Sequence, residues 1–218
     1  MSQLTTLDIL YLPGSYQRAR SLIVSRMIDL ILSAGLLLML APVLLLLVLL
    51  VKLTSRGPAI FVQRRIGLNA LEFDMYKLRT MVDGADALEK ELSEQTGGRT
   101  FLKILADPRT TEVGRLLRKY SLDELPQLCN VLRGDMSLVG PRPLLRCDFS
   151  KFPRDTRMRR FSAKPGITGL WQVSGRSACS DEERIRLDLH YVDHWSVWMD
   201  MKILVRTVPV VIGAEGAT

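Results

Sequence analysis

From Leu30 to Val51 the chain carries 22 uncharged, mostly aliphatic residues, broken near the centre by Pro42. Arg18, Arg20 and Arg26 precede this run, and Lys52, Arg56, Arg64 and Arg65 follow it. As a helix the run is about 33 Å long, enough to cross a hydrocarbon core of about 30 Å. A spanning helix carries its Lys and Arg mainly on one side, whereas here both ends are basic. Pro42 removes a backbone donor and crowds the carbonyl four residues back, which favours a bend. Two topologies are open: a helix that spans, and one that enters, bends and leaves by the same face. Proline is tolerated in spanning helices, so the residues alone favour spanning. A cleaved signal peptide does not fit, because the run exceeds the usual apolar length of about 15 residues. Nor does Lys52-Leu53-Thr54-Ser55-Arg56 offer a small-residue cleavage site.

Beyond the run the period changes. Ala59 to Arg65 and Leu71 to Lys77 predict two short strands. In the second, Leu71, Phe73 and Met75 alternate with polar positions, and Gly67-Leu68-Asn69 can turn between the two. Val82, Ala85, Leu88 and Leu92 recur at helical spacing and predict an amphipathic helix over Val82 to Glu94, ended by Thr96-Gly97-Gly98. Glu112 to Tyr120 and Ser121 to Leu132 predict two helices meeting at a break, with Ser121 and Glu124 at the capping-box spacing. A Gly and Pro-rich loop from Gly134 to Pro143 precedes a basic helical stretch ending at Arg160, and Lys164 to Arg176 forms another loop. Asp181 to His194 predicts a helix. Trp195 to Val208 carries a stripe of Val197, Met201, Leu204 and Val208 with Trp198, Lys202 and Arg206 beside it. That pattern suits either a helix in the lipid headgroup layer or a core helix with snorkelling cations. The organisation read from these patterns is an arm over residues 1–25, a membrane helix over 26–52 and a single catalytic-sized domain over 53–218.

Charge narrows the partners. The chain has 30 Lys and Arg against 23 Asp and Glu, and the excess is concentrated between Arg142 and Lys164. Beside an aliphatic anchor, such a patch points to lipid headgroups or phosphorylated substrates ahead of nucleic acid, for which no zinc-finger or RNA-binding signature is present. Cys129, Cys147 and Cys179 have no metal-site or disulfide spacing and read as reduced thiols. His190 and His194 are four apart, but Tyr-Val-Asp between them lacks the zinc-protease pattern, so a metal role is disfavoured.

The sharpest chemical pattern is Arg118-Lys119-Tyr120-Ser121-Leu122-Asp123-Glu124-Leu125-Pro126-Gln127. With Ser121 as the N-cap, Asp123 falls at the second helical position, where free amides and the dipole favour its charged form. Adjacent helical residues point about 100° apart, so the two carboxylates suit two different tasks rather than a shared proton. Two acidic residues decorating a helix start, with no chemistry, is the competing interpretation.

Arg64-Arg65-Ile66-Gly67, Tyr76-Lys77-Leu78-Arg79-Thr80-Met81, Asp107-Pro108-Arg109, Ser121 to Gln127, Gly134 to Pro143 and Pro165-Gly166-Ile167-Thr168-Gly169-Leu170-Trp171-Gln172-Val173 resemble the bacterial sugar transferase family. The resemblance runs in order from about Arg26 to Val208. It is to the monotopic phosphoglycosyl transferases, in the form of a small member without extra spanning helices. It implies a mostly helical α/β enzyme with a re-entrant helix bent at Pro42, a short β-hairpin, and interfacial amphipathic helices around an active site facing the cytoplasm from the bacterial inner membrane. This reverses the preference for spanning. Where relatives carry Ser-Pro at the bend, this chain has Ala41-Pro42.

The implied reaction moves a sugar 1-phosphate from a UDP-sugar to undecaprenyl phosphate, with release of UMP, as the first step of polysaccharide or glycoconjugate assembly. The Lys164 to Arg176 loop looks most like that of members using UDP-glucose or UDP-galactose. Asp123 is the implied nucleophile and Mg²⁺ ligand, and Glu124 assists or positions the acceptor phosphate. Arg118 and Arg142 are the implied phosphate contacts, followed by Lys77 and Arg79, with Arg176 near the donor. The chemistry needs such cations: two unit charges 4 Å apart at an effective dielectric near 20 repel by about 4 kcal/mol, roughly a thousandfold in rate. With a reference pKa near 3.9, Asp123 is ionised at neutral pH and needs no base to activate it. Membrane lipid is an expected partner and oligomeric state is left open. The rival functions are a glycosyltransferase releasing UDP and a non-enzymatic protein that binds anionic lipid.

Overall fold

The computed structural model describes residues 15–85, 108–149, 152–176 and 179–213, with side chains of the first helix from residue 21 onward. The chain is mostly helical, with a long apolar N-terminal helix and two small two-stranded sheets among the described residues. Helix α1 (Ser15–Thr54) takes in the apolar run whole and passes through Pro42 without a break in the helix. It begins inside the stretch assigned to an arm, where Gln17, Arg18, Arg20 and Leu22 are good helix formers.

Both ends of α1 are tied to the same body. Near the start, Arg26 donates to the carbonyls of Val131 and Leu132 at 2.6 and 2.9 Å. Asp29 accepts from the Ser137 hydroxyl at 3.1 Å and the Leu138 amide at 2.9 Å. After the end of α1, Arg79 donates to the carbonyls of Ser55 and Gly57 at 2.9 and 3.1 Å. Between these ties Leu36 and Leu37 pack on one apolar cluster, while Leu44, Leu47, Val48 and Val51 enter a second. The opposite side of the helix, including Ile31, Leu38, Met39, Leu45, Leu46, Leu49 and Leu53, is exposed.

Strands β1 (Ile60–Ile66) and β2 (Glu72–Leu78) form the expected antiparallel hairpin, each one residue later than the alternation predicts. A single 3-10 turn, Leu68–Ala70, joins them, and Asn69 there takes the left-handed conformation (φ 56°) that Asn tolerates. Leu71 precedes β2 and is exposed; the buried residues of the strand are Met75 and Leu78, which point to opposite faces and enter two different apolar clusters. The helix expected from Val82 lies largely outside the described residues.

Helices α2 (Glu112–Lys119) and α3 (Gln127–Arg133) follow. The capping box expected at Ser121 does not form. Ser121 is left-handed (φ 55°), its side chain makes no cap hydrogen bond, and the chain makes one 3-10 turn, Leu122–Glu124, before α3 starts. An N-cap hydroxyl reaches the helix amides only from an extended backbone, which Ser121 lacks.

The two Gly-rich loops hold a second sheet that periodicity did not predict: β3 (Ser137–Val139) pairs in parallel with β4 (Gly166–Thr168). Three-residue strands are too short to show a period. Glycine makes their ends compatible, since a Cβ on Gly166 would stand 2.0 Å from the Gly140 nitrogen. The basic stretch divides into α4 (Arg146–Phe149) and α5 (Arg154–Arg160), with Pro153 at the start of the second. Short α6 (Leu170–Ser174) leads to α7 (Asp181–Asp193) and α8 (Val197–Ile212), whose N-caps are Ser180 and Ser196. The main core joins Met75 of β2, Leu128 and Val131 of α3, Leu138 and Val139 of β3, Tyr191 of α7 and Ile203 of α8.

Asn130, fully buried on α3, links hairpin and core. Its side-chain oxygen accepts from the Tyr76 amide at 3.0 Å and its nitrogen donates to the Asp74 carbonyl at 2.7 Å. One side chain thus pairs outward-facing groups of β2 that a third strand would otherwise satisfy. Asn130→Leu is expected to destabilise the protein by about 1–3 kcal/mol for each strand group left unpaired. Thermal unfolding in detergent measures this, and an unchanged melting temperature would refute the role.

Candidate active site

The site is assembled from four short segments. Thr111 caps α2 by accepting from the Gly114 amide at 2.9 Å. Gly114 lets that helix lie directly on the end of the hairpin, since a Cβ there would stand 2.0 Å from the Thr80 carbonyl oxygen. This close approach delivers Arg118, whose Nε donates to the Thr80 hydroxyl at 2.9 Å and whose Nη1 donates to the Thr110 hydroxyl at 3.3 Å. The left-handed Ser121 then turns the chain so that the following 3-10 turn carries Asp123 and Glu124 inward. Asp123 is only 7% exposed.

Lys77, from β2, and Arg142, from the loop after β3, converge on Glu124 Oε1 at 3.4 and 2.8 Å. The Arg142 loop is braced from behind. Arg160 donates to the Arg142 carbonyl at 2.6 Å and pairs with Asp188 at 2.7 Å. The side chains of Arg160 and Asp188 are 3% and 4% exposed. Pro141 and Pro143 limit the backbone on either side.

The electrostatics separate the two carboxylates. Burial by itself pushes Glu124 up, but the charges of Arg142 and Lys77 and their hydrogen bonds overturn that and hold it at about 2. Burial also pushes Asp123 up, and the neighbouring Glu124 charge adds to this. Lys77, Arg118 and Arg142 pull back without cancelling the rise. The expectation that Asp123 sits at the N-terminal dipole of a regular helix is corrected: it lies in a 3-10 turn, where burial raises its pKa. Burial pushes the Lys77 ammonium down, and Glu124 restores part of its affinity for the proton.

Lys77, Arg118, Asp123, Glu124 and Arg142 are thus brought together. Arg176 reaches the edge of this group, its Nη2 3.5 Å from the Ser121 hydroxyl. Arg79 is turned elsewhere: its guanidinium is spent on Ser55 and Gly57, where it holds the exit of α1. Sequence reasoning missed Arg160 and Asp188. Arg160 was visible only as part of a basic stretch, and Asp188 carries no local signal for a partner 28 positions away. It also missed Arg65, whose guanidinium donates to the Pro143 carbonyl at 3.4 Å.

Among the described residues no cluster of three or more His, Cys, Asp or Glu forms a protein-only metal cage. Glu124 Oε1 is committed to two cations, and Asp123 offers one carboxylate. That donor set fits Mg²⁺ in the form in which it accompanies nucleotides, held by one or two carboxylates and by phosphate oxygens.

With this geometry in hand, sequence comparison identifies the class. The bacterial sugar transferase family matches residues 20–214, and the chain belongs to that family. It is 47% identical over 165 residues to the galactosyl transferase CpsE of Streptococcus agalactiae, covering 74% of this chain and 36% of that protein. It is 39% identical over 214 residues to the UDP-galactose-lipid carrier transferase of Erwinia amylovora, covering 96% and 44%. Against the UDP-glucose:undecaprenyl-phosphate glucose-1-phosphate transferase of Caulobacter vibrioides it is 42% identical over 202 residues, covering 88% and 71%. The chain therefore spans less than half of the first two relatives and most of the third.

Asp188→Ala would leave Arg160 buried without its carboxylate and free the Arg142 loop to shift. Removing one partner of a buried pair typically costs about 3–5 kcal/mol. A melting temperature in detergent within error of wild type would show that the Arg160 brace carries no such load.

Proposed function

We propose that this chain is a phosphoglycosyl transferase that moves a sugar 1-phosphate from a UDP-sugar to undecaprenyl phosphate, with glucose or galactose as the sugar. The carrying observation is a buried carboxylate, Asp123, placed among Lys77, Arg118 and Arg142 and beside a second carboxylate that two of them, Arg142 and Lys77, keep ionised. Such a pocket favours an anionic phosphoryl group approaching an anionic nucleophile. The relatives' names supply the substrate class.

In the proposed reaction an Asp123 oxygen attacks the β-phosphorus of the UDP-sugar. The bond from that phosphorus to the bridging oxygen breaks, and UMP leaves with the electron pair. The sugar phosphate is then held on Asp123 as a mixed anhydride. An oxygen of undecaprenyl phosphate attacks the same phosphorus, Asp123 leaves as a carboxylate, and undecaprenyl-diphosphate sugar is formed. Arg118, Lys77 and Arg142 offset charge on the phosphoryl oxygens, with Arg142 able to present a planar fork. Mg²⁺, held by Asp123 and the diphosphate, would supply further charge neutralisation. A carboxylate held at about 2 is a poor base, so Glu124 acts by orienting Lys77 and Arg142. The acceptor phosphate, whose second pKa is near 6, is largely deprotonated at neutral pH and needs little help.

The membrane reading is a re-entrant α1 that keeps the site at the cytoplasmic face of the inner membrane. It is supported by the ties at Arg26 and Asp29 before the apolar run and at Val51 and Ser55 at its end. A helix crossing about 30 Å of hydrocarbon could not return both ends to one water-exposed domain. For α8, an interfacial position is supported by its outer strip of Trp198, Lys202, Val205, Val208 and Ile212, opposite buried Ile203.

Detergent-purified protein given a UDP-sugar and Mg²⁺ is expected to release UMP and, without acceptor, to carry a sugar-phosphate adduct on Asp123. Asp123→Asn should abolish both while the protein stays in the membrane fraction. Release of UDP, or unchanged turnover by the variant, would overturn the mechanism.

The acid limb of the UMP-release profile should report Asp123. Burial raises its pKa and Lys77 pulls it down, so Lys77→Met raises it further and leaves less carboxylate at a given acidic pH. The acid limb is expected to move to higher pH in that variant. An unmoved limb would assign it to another group.

A further inference from the structure

Arg79 is only 9% exposed, yet among the described residues no carboxylate pairs with it. Its hydrogen bonds go to neutral acceptors, the Ser55 carbonyl and hydroxyl at 2.9 Å each and the Gly57 carbonyl at 3.1 Å. All of them leave from one nitrogen, Nη2. Nε is buried without a partner. Nη1 makes no hydrogen bond among the described residues and is not sealed from solvent. Gly57 leaves Nη1 its room, since a Cβ there would stand 2.3 Å from that nitrogen. A cation at this place suits the negative end of the α1 dipole, which accounts for Nη2. It leaves a desolvated guanidinium without a counter-ion, and a buried charge is stable when it is paired.

The surroundings of Arg79 select the anion. No acidic residue occurs between Asp29 and Glu72, so the exposed Lys52 and Arg56, on either side of Ser55, add positive charge that no nearby carboxylate in the chain offsets. Leu46, Leu49 and Leu53 are all exposed and are spaced three and four apart, which makes them one strip of α1 that ends next to Ser55. Apolar strip and cation thus follow one another along the helix. A molecule with an apolar tail and an anionic phosphate head matches both, whereas a soluble anion matches the cation alone. Guanidinium groups suit phosphate oxygens, and cations near a membrane surface attract anionic headgroups.

We propose that Arg79, with Lys52 and Arg56, binds the phosphate of an anionic membrane phospholipid at the exit of α1, with an acyl chain along Leu46, Leu49 and Leu53. The site is separate from the carboxylate pair, since Lys77, two positions before Arg79, is committed to Glu124. The assignment rests on the reading of α1 as a membrane helix. A headgroup held there fixes the depth of the hairpin end that carries Lys77.

The test follows thermal unfolding of the full chain in micelles of a neutral detergent while phosphatidylglycerol is titrated in, with phosphatidylcholine as the zwitterionic control. Phosphatidylglycerol should raise the melting temperature of the wild type at lower concentration than phosphatidylcholine. Arg79→Gln should need about tenfold more phosphatidylglycerol for the same rise. Arg79→Lys, which keeps the charge and loses the planar donors, should fall between. The readout is the lipid dependence, so a lower starting stability from the lost contacts to Ser55 and Gly57 does not imitate it. Should Arg79→Gln fail to unfold cooperatively, Arg79→Lys carries the comparison. Arg64→Gln removes the same charge from an exposed side chain on β1 and should titrate as wild type. A wild-type titration in the Arg79 variants, or an equal weakening in Arg64→Gln, overturns the proposal. So does stabilisation by undecaprenyl phosphate at lower concentration than phosphatidylglycerol, which would give the site to the acceptor instead. Failure of the membrane reading would be seen separately, as wild-type protein recovered in the soluble fraction without detergent.

Discussion

Glu124 between Arg142 and Lys77 is the interaction on which the site depends. Three elements distant in sequence meet there: the end of the β-hairpin, the turn before α3 and the loop after β3. None of the three charges is stable at its depth alone, because burial works against each. Together they offset one another, and Asp123, next in the chain to Glu124, is held in the same desolvated place. A buried ion pair is a weak source of stability compared with apolar packing. Its value here is orientation, since it fixes two cations on one carboxylate beside Asp123.

The long apolar helix and this site are mechanically joined. Arg79, two residues after Lys77, ties the hairpin to the chain just beyond α1. Asp29, in the first half of α1, holds the amide of Leu138 on β3, the strand that leads into the Arg142 loop. A shift of α1 would therefore reach both cations that grip Glu124. Placing α1 and building the pocket are aspects of one packing arrangement, in which α1 offers one side to the domain and leaves its other, apolar side exposed.

Several features were legible because their causes are local. The apolar run, the hairpin with its turn, α2, α7 and α8 follow from periodicity, capping residues and turn chemistry within a few positions. Ser121 was misread for an instructive reason. Its spacing to Glu124 is that of a capping box, but the left-handed backbone it adopts depends on packing of the turn against the hairpin. The β3–β4 sheet was illegible because each strand is three residues long and its pairing is set by the close approach of Gly140 and Gly166. Arg79 and Arg65 show the same limit among cations: adjacent motifs named both, yet one closes the exit of α1 and the other donates to the Pro143 carbonyl.

The sequence by itself determined that this protein has an aliphatic anchor flanked by basic residues, a concentrated cationic region and an Asp-Glu pair in motifs of the bacterial sugar transferase family. Hydrophobicity, net charge and motif spacing are properties of the chain before it folds. Tertiary structure alone decided that both ends of α1 meet one domain, that burial pushes Asp123 up while Arg142 and Lys77 hold Glu124 down, and that Arg160 and Asp188 brace the loop from behind. Those outcomes depend on desolvation and on distances of a few ångströms between residues far apart in sequence, and both come into being only when the chain packs.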